Sequence, residues 1–109
     1  MKRLAFAGTS RSDLRAFPES ARRKAGFQLD RIQRGLEPED WKPMPSIGSG
    51  VREIKVKETS GAFRVIYVAA FAEAVFVLHA FQKKTQRTAM RDLELAIARF
   101  KELTRSMTK

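Results

Sequence analysis

Eight cations punctuate the stretch from Gly50 to Arg91: Arg52, Lys55, Lys57, Arg64, Lys83, Lys84, Arg87 and Arg91. They ride on or beside three runs of β-type residues, and the only acids among them are Glu53, Glu58 and Glu73. Apolar strands that hold a row of fixed positive charges suit a polyanion, and nucleic acid is the commonest one. The chain's single histidine, His79, and single tyrosine, Tyr67, fall in the same stretch. Lys, Arg, His and Tyr together favour phosphate chemistry without a metal. Cations stabilise the charge that builds on a pentacovalent phosphorane, while one base and one acid move protons.

Other chemistries find little support. There is no Gly-rich phosphate loop, and Gly48-Ser49-Gly50 reads as turn geometry. One histidine and no cysteine leave no zinc-type site, so neither metal nor cofactor is expected. A triad of His79 with any serine could be assembled on paper, but nothing in the sequence supports it, and a glycosidase-type carboxylate pair is equally unsupported. The 109 residues carry a net charge of +10, which predicts salt-sensitive association with nucleic acid or an acidic protein. A hydrophobic content of 43% argues against disorder, and the length predicts one domain over residues 1–109. The lack of cysteine fits a cytoplasmic setting. The longest apolar run, Val65 to Ala72, is too short to span a membrane.

The elements that must position these residues follow from periodicity. Leu4 to Ala7 reads as a short strand ended by Gly8. Thr9 or Ser10 is placed to cap a short helix through Leu14 and Phe17, and Pro18 suits the first turn of a second. In that second helix Ala21, Ala25, Leu29, Ile32 and Leu36 draw one apolar stripe, and Gly35 stands where it stops. Leu36 to Gly50, rich in Pro and Gly, is expected to be a loop pinned by Trp41 and Met44. In the strand Arg52–Lys57, Arg52, Ile54 and Val56 share one face. Glu53, Lys55 and Lys57 share the other, which is expected to be wet. After a turn at Thr59–Gly61, two strands apolar on both faces, Ala62–Ala69 and Val75–Phe81, are linked tightly enough for a hairpin. Thr85 or Thr88 is placed to cap a last helix with a Leu93, Ile97, Phe100, Leu103 stripe, and Thr104–Lys109 should fray. The order predicts an α+β fold: a small, mainly antiparallel twisted sheet with two N-terminal helices packed on it and a C-terminal helix.

Three segments, Val51-Arg-Glu-Ile-Lys-Val-Lys57, Gly61-Ala-Phe-Arg-Val-Ile-Tyr67 and Val77-Leu-His-Ala-Phe-Gln-Lys-Lys-Thr-Gln86, resemble the phage-derived Gp49-like group of HigB toxins. That group belongs to the RelE/ParE superfamily of type II toxin–antitoxin systems. The resemblance implies a RelE-like fold and a metal-independent endoribonuclease, an mRNA interferase that cuts mRNA on the ribosome and so inhibits translation. The 2′-hydroxyl would attack the adjacent phosphate. The implied partners are the ribosome with its mRNA and a HigA-like helix-turn-helix antitoxin, with operator DNA reached only through that antitoxin. By position, Lys55 and Lys57 match the basic residues of the family's first central strand, Arg64 the arginine of the next, and Lys83 and Lys84 the basic pair ending the last. Glu53 stands where RelE has a basic residue, and no tyrosine follows Tyr67, so His79 becomes a catalytic candidate by default.

The bland alternatives differ by residue. Lys55 and Lys57 could be a solvated strand edge. Arg64, in an apolar strand, must either pair with Glu53 or Glu73 or contact a ligand. His79 alternates in phase with Val75, Val77 and Phe81, so it is either a satisfied sheet histidine or a proton-transfer group. Tyr67, in phase with Phe63 and Val65, reads as core. Arg52, Phe81, Gln82, Arg87 and Arg91 are the further RNA-binding candidates, Phe81 and Gln82 through stacking on and bonding to a base. A ParE-like toxin acting on DNA gyrase, or a nonenzymatic nucleic-acid-binding module, are the competing functions.

Overall fold

In a computed structural model, which describes residues 1–107, the chain forms five strands and three helices. The order is β1 (Arg3–Phe6), α1 (Ser10–Arg15), α2 (Glu19–Gln33), β2 (Trp41–Pro43), β3 (Val51–Glu58), β4 (Gly61–Val68), β5 (Ala74–Lys83) and α3 (Met90–Met107). One sheet runs β1-β5-β4-β3-β2, antiparallel except where β1 lies parallel to β5. The expected α+β architecture, with a mostly antiparallel sheet, two N-terminal helices and a C-terminal helix, is the one observed.

The sheet is covered on both faces, as the apolar character of β4 and β5 requires. On one face the stripe of α2 (Ala21, Ala25, Leu29, Ile32), with Leu14 and Phe17, packs on Ile54, Val56, Phe63, Val65, Tyr67, Val75 and Val77. On the other, α3 brings Leu93, Ala96, Ile97, Phe100 and Leu103 onto Val51, Ile66, Val68, Leu78 and Phe81, with Met44 and Ile47 closing the edge. Among the described residues no helix is long and apolar enough to cross a membrane.

Four local expectations are corrected. Within the segment expected to be a loop, Trp41–Pro43 is an edge strand opposite Arg52–Ile54. Lys42 and Pro43 favour strands poorly, and pairing with an otherwise open strand edge overrides that; an edge also tolerates Pro43. Neither expected cap acts through its side chain. Thr9 precedes α1 but its hydroxyl donates to Asp13 Oδ2, and Ser10 Oγ donates to the Val77 carbonyl. The Thr88 hydroxyl bonds Glu53, and Thr85 bonds the Arg87 carbonyl, rather than the start of α3. Residues Thr104–Met107 remain helical where fraying was expected, and Thr108 and Lys109 lie outside the described residues.

The fourth correction governs the site. Tyr67 pairs with Val77 while Ile66 pairs with His79, so Leu78 is an extra residue, a β-bulge in β5. The bulge reverses the alternation. Val75 and Val77 face α2, whereas His79 and Phe81 face the opposite side with Ile66 and Arg64. His79 is therefore out of phase with Val75 and Val77.

Candidate phosphate-binding site

Registers across β2, β3, β4 and β5 place side chains on the α3 face in three rows. The first is Lys42, Glu53, Ile66 and His79; the second is Lys55, Arg64 and Phe81; the third is Lys57, Ala62 and Lys83. Strand alternation puts the cations of β3, β4 and β5 on one side, because Lys55 and Lys57, Arg64, and Lys83 occupy matching pleats. The segment 84–89 and the start of α3 cover the first row through Thr88 and Asp92, and α3 also packs against Phe81 of the second. The lysines Lys55, Lys57 and Lys83 at the open ends of the rows stay partly or fully exposed.

Arg64 is the centre of this arrangement and is 7% exposed. Its Nη1 donates to the Phe63 carbonyl at 3.1 Å. Its Nε stands 3.4 Å from Glu53 Oε1, close enough for strong attraction, yet neither atom makes a hydrogen bond. Glu53 is fully buried, contrary to the expectation of a wet face, because segment 84–89 folds over it. Its Oε2 accepts from the Thr88 hydroxyl at 3.0 Å, and Lys42 Nζ lies 3.8 Å from Oε1. Isolated buried charge is costly, so each of Glu53 and Arg64 depends on the other. The guanidinium nevertheless keeps donors that protein does not satisfy, and these suit a phosphate oxygen.

Around Arg64 the positive charge is in excess. Lys83 has its pKa lowered, first by partial desolvation and then by repulsion from Arg64, Lys42 and Lys55, with Glu53 opposing. An anion arriving here would relieve that repulsion. Lys57 is exposed and Lys55 partly so. Lys84 and Arg87, on the 84–89 connection, and Arg91, in the first turn of α3, are exposed and flank the rows.

His79 lies beneath this surface. It is 5% exposed, its Nε2 sits 2.7 Å from Asp92 Oδ1, and its ring stacks on Phe81 with centroids 4.8 Å apart. A carboxylate accepts only, so Nε2 carries the proton in this pair, and Nδ1 is left buried without a partner. Phe81, 8% exposed, is floor as well. These two residues join α3 to the sheet under the cations.

The fold separates two other candidates from the cluster. Arg52 lies on the α2 face, where its Nη1 meets both oxygens of Glu37 at 3.0 Å and its guanidinium stacks 4.0 Å over Trp41. That ion pair, more than any other cause, raises the Arg52 pKa. Gln82 faces the same side, opposite Phe63, and donates to the Ser60 carbonyl. Conversely, sequence reading missed Lys42, assigned to a loop, and Asp92 and Thr88, which touch His79 and Glu53. A β-pairing of 41–43 would have revealed Lys42, but three residues between prolines carry no periodic signal. Among the described residues no three His, Asp or Glu side chains stand together as a metal-ligand set.

The sequence model of the phage-derived Gp49-like proteins matches residues 12–101, a span that includes every strand except β1. No curated protein matches the chain.

Proposed function

The chain belongs to the phage-derived Gp49-like family, a RelE/HigB-type toxin group, and from that premise we propose that it is the toxin of a toxin–antitoxin pair, acting as a ribosome-dependent mRNA endonuclease. The observation that carries this reading is the convergence of Lys55, Lys57, Lys83 and Lys42 around a buried Arg64 whose donors are not all used. A gyrase-directed toxin would not need such a phosphate site.

In the proposed reaction the 2′-oxygen forms a bond to the adjacent phosphorus and the bond to the 5′-oxygen breaks. The products are a cyclic 2′,3′-phosphate and a 5′-hydroxyl. The 2′-hydroxyl proton passes to water, and the leaving 5′-oxygen gains a proton. Lys83 is the preferred donor, because a lowered pKa makes its ammonium a stronger acid than an ordinary lysine. Arg64 donates to the nonbridging oxygens, and those bonds strengthen as charge builds there. Lys42, Lys55 and Lys57 supply the surrounding field. Lys84, Arg87 and Arg91 track the RNA backbone. His79 and Asp92 act through others: they fix the floor and the start of α3, and His79 is a positioning residue in this scheme.

The partner is a HigA-like antitoxin whose acidic surface covers part of this basic one. Primer extension on mRNA after expression in growing cells tests the function. New 5′ ends within translated codons, absent when Lys83 and Lys55 are replaced by Ala, are expected. Intact mRNA with DNA damage would instead establish a gyrase-directed toxin, and undamaged mRNA and DNA a binding module.

A further inference from the structure

Helix α2 meets the outer edge of the sheet with one face, made by Ser20, Lys24 and Phe27 with Gln28 beside them. Strand β2 pairs with β3 only over Arg52–Ile54, and the Asp40 carbonyl takes the Lys55 N–H. Beyond that point β3 has no strand on this side. Two polar clamps hold α2 to the bare edge. At one end Lys24 Nζ donates to the Lys57 carbonyl at 3.1 Å and pairs with Glu58. At the other, Gln28 Nε2 donates to Glu39 Oε1 and the Glu39 N–H donates to Gln28 Oε1, each at 2.8 Å. Between the clamps lies a cavity of about 600 Å³ with Phe27 and Val56 as its apolar lining. Phe27 is 55% exposed, and no ring of the described residues stacks on it. A lone apolar side chain on a surface is ordinary. This one lines a concavity whose walls are fixed, beside cations that the fold leaves unpaired.

Those cations are Lys55 and Lys57, which line the same cavity. They stand in the second and third rows of the α3 face, so the cavity reaches across the sheet edge to the cationic cluster. Among the described residues neither lysine enters an ion pair. An open aromatic ring beside unpaired cations is the combination that holds single-stranded nucleic acid, with the base on the ring and the phosphate on the cation. Two carboxylates on the rim decide against an acidic peptide. Asp40 is exposed, and Glu39 keeps Oε2 free of any protein partner. They repel a segment that is charged along its length. A nucleotide concentrates its charge at the phosphate and presents a neutral base, whose N–H groups those carboxylates accept.

We propose that Phe27 is the stacking platform for an unpaired base of the RNA substrate, a base whose adjoining phosphate is held by Lys55 and Lys57. The inference rests on the reading of the chain as an mRNA endonuclease. It adds a subsite, at the edge between α2 and β3, that seats the strand relative to Arg64 and so selects where the strand is cut.

The probe is a short 2′-O-methyl oligouridylate, which cannot be cleaved through its 2′-oxygen, carrying one central guanosine. Its control is the same strand with an abasic central position, equal in phosphates and lacking only the base. Fluorescence anisotropy with the full chain should show the guanosine strand bound about fivefold tighter or more, the low end of base–aromatic stacking. Phe27→Ala and Phe27→Leu should each abolish that difference, because leucine is apolar but has no π-face, and Phe27→Trp should keep it. Leu36→Ala, at an exposed apolar residue outside the cavity, should leave it unchanged. Equal affinity for the two strands overturns the proposal, as does a preference that survives Phe27→Ala or is lost equally in Leu36→Ala. Amide signals of Phe27 and Gln28 that move with hexaglutamate and not with RNA would make the cavity a peptide site and overturn it too. Primer extension keeps the two readings apart. An active parent whose cleavage positions are unchanged in Phe27→Ala overturns the subsite and spares the endonuclease. Intact mRNA with the parent overturns the endonuclease, and the anisotropy then still decides the subsite.

Discussion

Replacing Arg64 tests both its chemistry and its place in the core, and the structure says how to separate them. In Arg64→Ala, Glu53 stays fully buried and keeps only Thr88 at 3.0 Å and Lys42 at 3.8 Å. Removing one partner of a buried pair costs ~3–5 kcal/mol because the other charge remains uncompensated. Against a total stability of ~5–15 kcal/mol, that brings a small domain near its margin. Loss of toxicity in this variant alone would therefore be ambiguous. Glu53→Gln removes the charge but preserves the shape and an acceptor for Thr88. In the Arg64→Ala, Glu53→Gln double variant, ~2–3 kcal/mol of the loss should return as coupling between the two sites. Urea denaturation of the four proteins measures that coupling. The double variant, folded, should then cut mRNA in a translation extract ~10²–10³ times more slowly, the usual effect of losing one donor to a developing oxyanion. Arg64→Lys, which restores charge without the planar fork, should be partly active. A folded double variant that cleaves at the original rate would refute the catalytic assignment. A single Arg64→Ala variant as stable as the parent would refute the energetic argument about Glu53.

Three further expectations follow from the same geometry. Lys83→Gln should lower cleavage yet leave the protein as stable or more stable near neutral pH. A cation whose folded pKa lies below its unfolded value of 10.5 is unfavourable while protonated. Between the two values the unfolded chain binds more protons, so the parent's stability rises with pH there. Thermal melts from pH 7 upward should show the variant's advantage shrinking, and an advantage that grows would reverse the sign. RNA binding should weaken with salt with a slope of about −3 for four neutralised phosphates of a single strand; Lys57→Gln should flatten it and Arg52→Gln should not, as titrations at several salt concentrations would reveal. Gly48→Ala should destabilise by ~1–3 kcal/mol, because its Cβ would clash with the Phe100 ring of α3; a denaturation midpoint equal to the parent's would show that α3 yields there freely.

The sequence alone determined the elements and their chemistry. Periods of two and of 3.6 are local properties, so β3, β4, β5, α2 and the apolar stripe of α3 could be read from spacing. Strand alternation likewise put Lys55 and Lys57 on one face, opposite Ile54 and Val56. The motif segments around Arg64 and Lys83 pointed to the family, whose match covers residues 12–101. Other features were decided only when distant segments met. Strand β2, and with it Lys42, exists because an open edge of β3 accepts a three-residue run too short, and too weak at Lys42 and Pro43, to be read from the sequence. Glu53 is buried because segment 84–89, more than thirty residues away in the chain, folds over it and supplies Thr88. The bulge at Leu78 leaves no mark in the composition of β5, yet it turns His79 from the α2 face toward Asp92. A one-residue change of register moves every later side chain to the other face, and only the partner strand fixes where that step is taken.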